Sequence, residues 1–200
     1  MLAPKPRGAN WWALFRQWLR NPLRIAAIAP SSRELAAAMV AELPPGPSRV
    51  IELGGGTGAL TRALLAKGIR GNGLLVIELE EELHEHLRRR FPAVRVALGD
   101  ARDLQAIGKR CGFLAEGPAD AIISGLGLLA MPLDTQRAIL SEAFACLRPG
   151  GRFIQFTYGP QAPVDDEVAR SLGLQARRGD FILRNMPPAT VYVYEQGRKD

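Results

Sequence analysis

Four glycines in five residues, Gly54-Gly-Gly-Thr-Gly58, stand between a short apolar segment, Arg49-Val-Ile-Glu-Leu53, and a helical pattern over residues 59–67. No other stretch narrows the possible folds as much. A buried strand must turn into a helix within a few residues here, and glycine lets the backbone approach a ligand that side chains would block. The apolar segment, bounded by Pro47 and Gly54, suits a parallel strand covered on both faces. The loop is therefore expected at the carboxyl end of a central strand, where open α/β sheets bind their ligands.

The rest of the chain repeats the same unit. Ser31 and Glu34 form a capping-box pattern opening a helix that Pro44-Pro45-Gly46-Pro47 stops. After the glycine loop, strands are expected over residues 74–77, 94–98, 119–124 and 152–157. Helices are expected over 80–90, 103–111, 134–147 and 165–172. Two further strand patterns, 174–183 and 190–195, have no helix between them and are expected to pair antiparallel. Alternation of this kind implies an α/β fold around a doubly wound, mostly parallel sheet.

Composition excludes several classes. At 47% hydrophobic and 23% charged, the chain can bury one sizeable core, so disorder is not expected. Its most apolar stretch, residues 121–133, is broken by Gly125, Gly127 and Pro132, so no membrane-spanning helix is expected. Arg16, Gln17 and Arg20 interrupt the position of a secretory core, and cytoplasmic residence is the expectation. Cys111 and Cys146 are too few for a disulfide framework, and His84 and His86 lie in a charged helix pattern. No metal site is expected.

Acids recur at the ends of three consecutive strands: Glu52 before the glycines, Glu78 after the second strand, and Asp100 in Gly99-Asp100-Ala101 after the third. Residues 54–59 also match the weak dinucleotide pattern G-x-G-x-x-A, and any one acid alone reads as a helix cap. Together with the terminal strand pair, the series resembles class I S-adenosylmethionine-dependent methyltransferases. That resemblance implies a Rossmann-like seven-stranded sheet with a C-terminal antiparallel hairpin. It also implies a pocket for S-adenosylmethionine, with S-adenosylhomocysteine as product. Glu52, Gly54, Gly56, Thr57 and Gly58 would cradle the amino-acid end and Glu78 the ribose hydroxyls. Leu79, Asp100, Ala101 and Ser124 would complete the pocket, with Asp100 and Ala101 near the adenine.

The segment after the fourth strand narrows the methyl acceptor. Ser124-Gly-Leu-Gly-Leu128 has neither the amide nor the aromatic of adenine-N6 methyltransferases. With Ala29-Pro30-Ser31-Ser32, Gln155-Phe-Thr-Tyr158 and Asn185-Met-Pro-Pro-Ala189, it resembles the bacterial soluble-type phospholipid N-methyltransferases, from about residue 11 to residue 193. Gly127 departs from the proline expected there. The resemblance implies stepwise methylation of phosphatidylethanolamine toward phosphatidylcholine. An in-line displacement needs a neutral amine held in line, so positioning does most of the work. Tyr158 is the candidate catalytic and substrate-binding residue, acting through its hydroxyl or its ring face, against a reading as a core tyrosine at a strand end. Ser31 and Ser32 either hold a phosphate at a helix N-terminus or cap the helix; Arg184 and Asn185 are further candidates for the headgroup phosphate.

The formal charge of +6 is confined to one end. Residues 1–33 hold six basic residues, no acid and all three tryptophans, while the remainder has 20 basic and 20 acidic residues. On a helix, Trp11, Trp12, Leu14, Phe15, Trp18 and Leu19 fill an arc of about 160°, opposite Arg16 and Arg20. The pattern reads as an N-terminal amphipathic helix lying in a membrane interface, or docked on the protein body. Roughly 1 kcal/mol per basic residue and up to about 1.5–3 kcal/mol per buried large side chain exceed the roughly 5.5 kcal/mol of one acyl chain. Residues 1–24 are accordingly read as a membrane-binding segment through Trp11, Trp12, Phe15, Arg16, Trp18, Leu19 and Arg20, and residues 25–200 as the methyltransferase domain. The expected partners are an anionic membrane surface and a phospholipid substrate, with no nucleic acid and no readable protein partner. The protein would be peripheral on the cytoplasmic membrane face. Competing readings are a methyltransferase for RNA adenine or a soluble amine, and a cofactor-fold protein acting only as a membrane-binding module.

Overall fold

The structure is a computed structural model that describes residues 31–158, 161–183 and 188–197. The first helix, α1 (Ser31–Ala41), leads into β1 (Val50–Leu53), the glycine loop and α2 (Ala59–Ala66). There follow β2 (Leu74–Glu78), α3 (Glu81–Arg90), β3 (Arg95–Leu98), α4 (Leu104–Arg110), β4 (Ala119–Ser124) and α5 (Leu133–Cys146). The chain ends in β5 (Leu147–Tyr158), α6 (Asp166–Ser171), β6 (Leu174–Ile182) and β7 (Ala189–Gln196). One seven-stranded sheet has the order β3-β2-β1-β4-β5-β7-β6. Neighbours are parallel as far as β5, and β7 is antiparallel to both β5 and β6.

Burial explains why the strands read as continuous apolar runs. Val50, Ile51, Leu53, Leu74, Leu75 and Val76 are all fully buried, because both faces of the sheet are covered. On one face Ile51, Leu53, Ile122 and Phe153 pack against Leu104, Ile107, Ile139 and Leu140 of α4 and α5. On the other, Val50, Val76, Ile123 and Ile154 pack against Leu35 and Met39 of α1, Leu64 of α2 and Leu87 of α3. The order of strands reverses between β1 and β4. Such a switch point opens a crevice beyond the carboxyl ends of the strands.

One strand boundary differs from the sequence expectation by more than two residues. β5 begins at Leu147, not at Arg152, because Leu147 pairs with Ala119 and the register then shifts before Ala121 pairs with Arg152. Gly150, with φ +72°, lets the Pro149-Gly150 stretch run on as an irregular strand instead of a turn. The hairpin is likewise irregular between Arg178 and Phe181. Trp11, Trp12, Phe15, Arg16, Trp18, Leu19, Arg20, Arg184 and Asn185, and with them the amphipathic segment, lie outside the described residues, as do the side chains of Ser31 and Ser32.

Candidate cofactor site at the carboxyl edge of the sheet

The glycine loop sits where the strand order reverses, held from below by hydrogen bonds from the Gly54 and Gly55 amides to the Ile77 carbonyl at 2.9 and 3.4 Å. Gly54 and Gly56 show two ways in which its geometry requires glycine. Gly54 has φ +74°, and a Cβ there would lie 2.9 Å from Leu126 Cδ2. Gly56 has φ +53° with nothing within 4 Å of the position a Cβ would take. Its backbone is bare toward open space, which is the form of a cradle.

Glu78, at the end of β2, is only 6% exposed, and its carboxylate organises the floor of the crevice. Oε2 accepts from the Gly56 amide at 2.8 Å, and Oε1 accepts from the amides of Leu79 and Glu80 at 2.8 and 3.0 Å. About four acceptor positions exist on a carboxylate, so roughly one stays open. Leu79 beside it is 62% exposed. Thr57 follows Gly56 in the loop and is half-buried.

Glu52 is fully buried in β1. The Thr61 hydroxyl of α2 donates to Oε2 at 2.7 Å, while Oε1 has no partner. Burial pushes the carboxyl up to about 8, against the lowering effect of the Thr61 hydrogen bonds and with a further push from the Glu78 charge. An orphaned buried acceptor next to a glycine cradle is suited to a donor supplied by a ligand.

Asp100 is placed at the third strand end but is already engaged. Oδ1 accepts from the Arg102 amide at 2.8 Å, and Oδ2 from Arg102 Nε and Nη2 at 3.0 and 2.7 Å. The hydrogen bond from the Arg102 side chain is the main cause holding its carboxyl below the usual range. Ala101 is buried at 8% exposure in the same turn.

Ser124, expected in the cofactor pocket, is paired by the fold with Gln155. They are register partners on β4 and β5, and both are fully buried. Ser124 Oγ accepts from the Leu126 amide at 3.3 Å, and Gln155 Nε2 donates to the Leu126 carbonyl at 2.7 Å and to the Phe156 carbonyl at 3.1 Å. The two side chains hold the N–H and the carbonyl of one residue, and Leu126 then packs over Gly54. Gln155 was not among the expected site residues. The sequence signal for it is that it opens the Gln155-Phe-Thr-Tyr158 segment that carries the resemblance. Gly127, where proline was expected, has φ −81°, close to the angle a proline ring imposes.

Tyr158 ends β5 on the opposite face from Gln155. It is half-buried, its ring meets Phe156 edge-on at 5.1 Å, and it pairs in register with Ala189 of β7. The structure thus gathers Glu52, the glycines, Thr57, Glu78, Leu79 and Ser124 around one crevice, puts Asp100 and Ala101 at its β3 side, and sets Tyr158 toward the hairpin. Among the described residues no cluster of ligating side chains can hold a metal ion.

The family model described as a methyltransferase domain matches residues 50–151. The ornithine lipid N-methyltransferase of Singulisphaera acidiphila is 31% identical over 193 residues, covering 92% of this chain and 94% of its own. The chain belongs to the S-adenosylmethionine-dependent methyltransferases. A glycopeptide N-methyltransferase solved with S-adenosylmethionine has the same fold, with a TM-score of 0.62 at 15% identity, covering 85% of this chain and 96% of its own. A ribosomal RNA small subunit methyltransferase A from Thermosynechococcus vestitus is 41% identical, but over 83 residues that make up 42% of this chain and 26% of its own. The cofactor is S-adenosylmethionine, and the residues at the carboxyl edge fit it: an open glycine cradle, an orphaned buried carboxyl oxygen and an exposed leucine beside a carboxylate.

Proposed function

We propose that this methyltransferase transfers methyl groups to the amine of a membrane aminolipid, phosphatidylethanolamine and its partly methylated forms, while bound peripherally to an anionic membrane surface. The extent of the resemblance carries this reading. The lipid N-methyltransferase matches 94% of its own length, including the half of the fold that selects an acceptor. The RNA methyltransferase matches 26% of its own, too little to carry its acceptor to this chain. Ornithine lipid is a second acceptor, favoured by the name of that same relative.

Placement at the strand ends supports the roles of the described residues, and the family resemblance those of Ser31, Ser32, Arg184 and Asn185. Gly54, Gly56, Thr57 and Gly58 would cradle the cofactor's amino-acid end, with Glu52 Oε1 taking an N–H. The open acceptor position on Glu78 would take a ribose hydroxyl, with Leu79, Asp100 and Ala101 around the adenine. Bound S-adenosylmethionine supplies an electrophilic methyl on a sulfonium. The chain itself then has to hold a neutral amine in line with that methyl, worth several orders of magnitude in rate. Tyr158 is assigned this role, because an aromatic face or hydroxyl serves an amine and its methylated cations alike. Ser31, Ser32, Arg184 and Asn185 are assigned to the headgroup phosphate, and the amine's proton leaves to water.

The test is direct. The full chain is incubated with methyl-labelled cofactor and vesicles of phosphatidylethanolamine, vesicles of ornithine lipid, RNA, or small amines, and products are read by mass spectrometry. Methylated lipid amines are expected. Label found only in RNA or in a soluble amine overturns the lipid reading, and label in ornithine lipid alone selects the second acceptor.

A further inference from the structure

Among the described residues the exposed large apolar side chains are Leu79, Leu98, Leu133, Phe181 and Leu183. All lie at one edge of the sheet. Leu98 ends β3, Leu79 follows β2, Leu133 opens α5 beyond the β4 loop, and Phe181 and Leu183 flank the end of β6. β6 runs parallel to β5, since both pair antiparallel with β7, and Ile182 is level with Ala189 and Tyr158. The carboxyl edge that carries the glycine loop is therefore also the apolar edge.

These side chains divide by position. Leu79 and Leu98 stand beside Glu78 and Asp100 on the cofactor side. β6 is six strand spacings from β3, roughly 28 Å away, too far to serve the same pocket. Phe181 and Leu183, 55% and 71% exposed, need another partner.

The path of the chain says which. Glu42, just past α1, gives its carbonyl to Arg152 at 3.0 Å, and its carboxylate accepts from Arg177 of β6. Arg177 is level with Val193, well below the Ile182–Ala189 level. The end of α1 thus lies toward the amino edge of the sheet. Eleven residues of helix span about 16 Å, long enough to reach the carboxyl edge from there. Residues 1–30, with all three tryptophans and five of the basic residues, precede α1 in the chain. Charge on β6 itself is nearly balanced, with Arg177 matched by Glu42 and Arg178 followed by Asp180; the acid-free N-terminal residues supply the cationic complement.

We propose that Phe181 and Leu183 insert into the lipid bilayer as a second contact beside residues 1–30, turning the carboxyl edge and its cofactor loop toward the headgroup layer. The inference rests on the membrane-lipid reading above. A headgroup amine stays anchored in its leaflet, so the edge that presents the methyl must face the bilayer, and apolar side chains at that edge fix the orientation that a single helix leaves free to rotate.

The experiment uses the full chain with Phe181→Cys carrying a polarity-sensitive fluorophore in a Cys111→Ser background, Cys146 being buried. Vesicles of phosphatidylethanolamine and phosphatidylglycerol are added, and a second variant combines Phe181→Ser with Leu183→Ser. A blue shift of emission on adding vesicles is expected. The double variant is expected to lose about tenfold in vesicle partitioning and in methyl transfer to vesicle lipid, with cofactor affinity by calorimetry unchanged. Vesicle binding without any shift overturns the inference and leaves the membrane reading standing. Emission already blue without vesicles and unchanged by them also overturns it, since the patch is then covered by the chain's own residues or a second copy. No binding to vesicles at all overturns the membrane reading itself. The labelled single variant reads the orientation even where the double variant fails to fold.

Discussion

The two ends of the sheet are built on opposite terms. At the amino end Asp120 accepts from the Ser48 amide at 2.8 Å, the Ser48 hydroxyl at 3.3 Å, the Arg49 amide at 3.0 Å and Arg148 Nε at 2.6 Å. Arg49 lies over the Phe113 ring at 4.1 Å and donates to the carbonyls of Phe113, Gly117 and Pro118 and to Glu116, which also pairs with Arg95. Arg95 Nη1, and Tyr194 Oη level with it along the strands, are the buried polar side-chain atoms there without a partner among the described residues. At the carboxyl end, Glu52 and Gln155 each bury an oxygen unpaired among the described residues, and Gly56 leaves its backbone bare. One end spends its polar groups on itself and supplies stability; the other withholds some of them for a ligand. The division teaches that a parallel sheet can separate the two demands by about the length of a strand.

The largest expected effect breaks the amino end. Asp120→Ala removes the acceptor of four hydrogen bonds and leaves part-buried donors behind, which costs about 3 kcal/mol of unfolding free energy, read by denaturant titration, while cofactor affinity stays unchanged. Burial alone would raise the Asp120 carboxyl, but the Ser48 and Arg49 amides and the Arg148 guanidinium more than offset it, so the net shift is down. Its contribution is therefore present above the ordinary carboxylate pKa and is lost as pH falls through the lowered folded value, a loss the variant does not show.

At the other end, Glu78→Ala is expected to weaken S-adenosylmethionine binding roughly 10–100-fold by calorimetry, with a smaller change in stability than Asp120→Ala. The substitution releases the Gly56 amide together with any ribose contact. Equal affinity would remove the ribose assignment, and a loss of stability as large as that of Asp120→Ala would erase the contrast between the ends.

The smallest effect concerns protonation. Glu52, raised to about 8 mainly by burial, favours folding fully below the ordinary carboxylate range, and that benefit is lost as pH rises toward and through about 8. Glu52→Gln cannot ionise. Unfolding curves from pH 5 to 9 without cofactor should show the variant gaining on the parent with pH by more than about 1 kcal/mol; parallel curves would mean that the buried carboxyl is ionised throughout.

Much of this architecture is legible in the sequence because it is periodic or punctuated. Fully buried strands read as unbroken apolar runs, and Gly54–Gly58 admits few backbones. Glu52, Glu78 and Asp100 are visible because acids at strand ends recur in register with the alternation. Partnership is the part the sequence hides. Nothing in Gln155 announces that its amide holds the Leu126 peptide, since the contact joins residues 29 positions apart. Asp100 reads as a ligand contact, while the structure occupies it with Arg102 two residues on. Residues 148–151 fall between the expected helix and the expected strand, yet pairing of Leu147 with Ala119 draws the stretch into β5.

The carboxylate of Glu78 has a consequence for repeated catalysis. It ties the glycine loop to the turn after β2 through bonds that need no cofactor, so the cradle keeps its shape while spent cofactor departs and fresh cofactor arrives. The entropy of shaping the loop is then met once, when the chain folds, and not again at each exchange. A methyltransferase that exchanges its cofactor at every turnover gains from such a resting state, because fresh S-adenosylmethionine meets a berth already shaped.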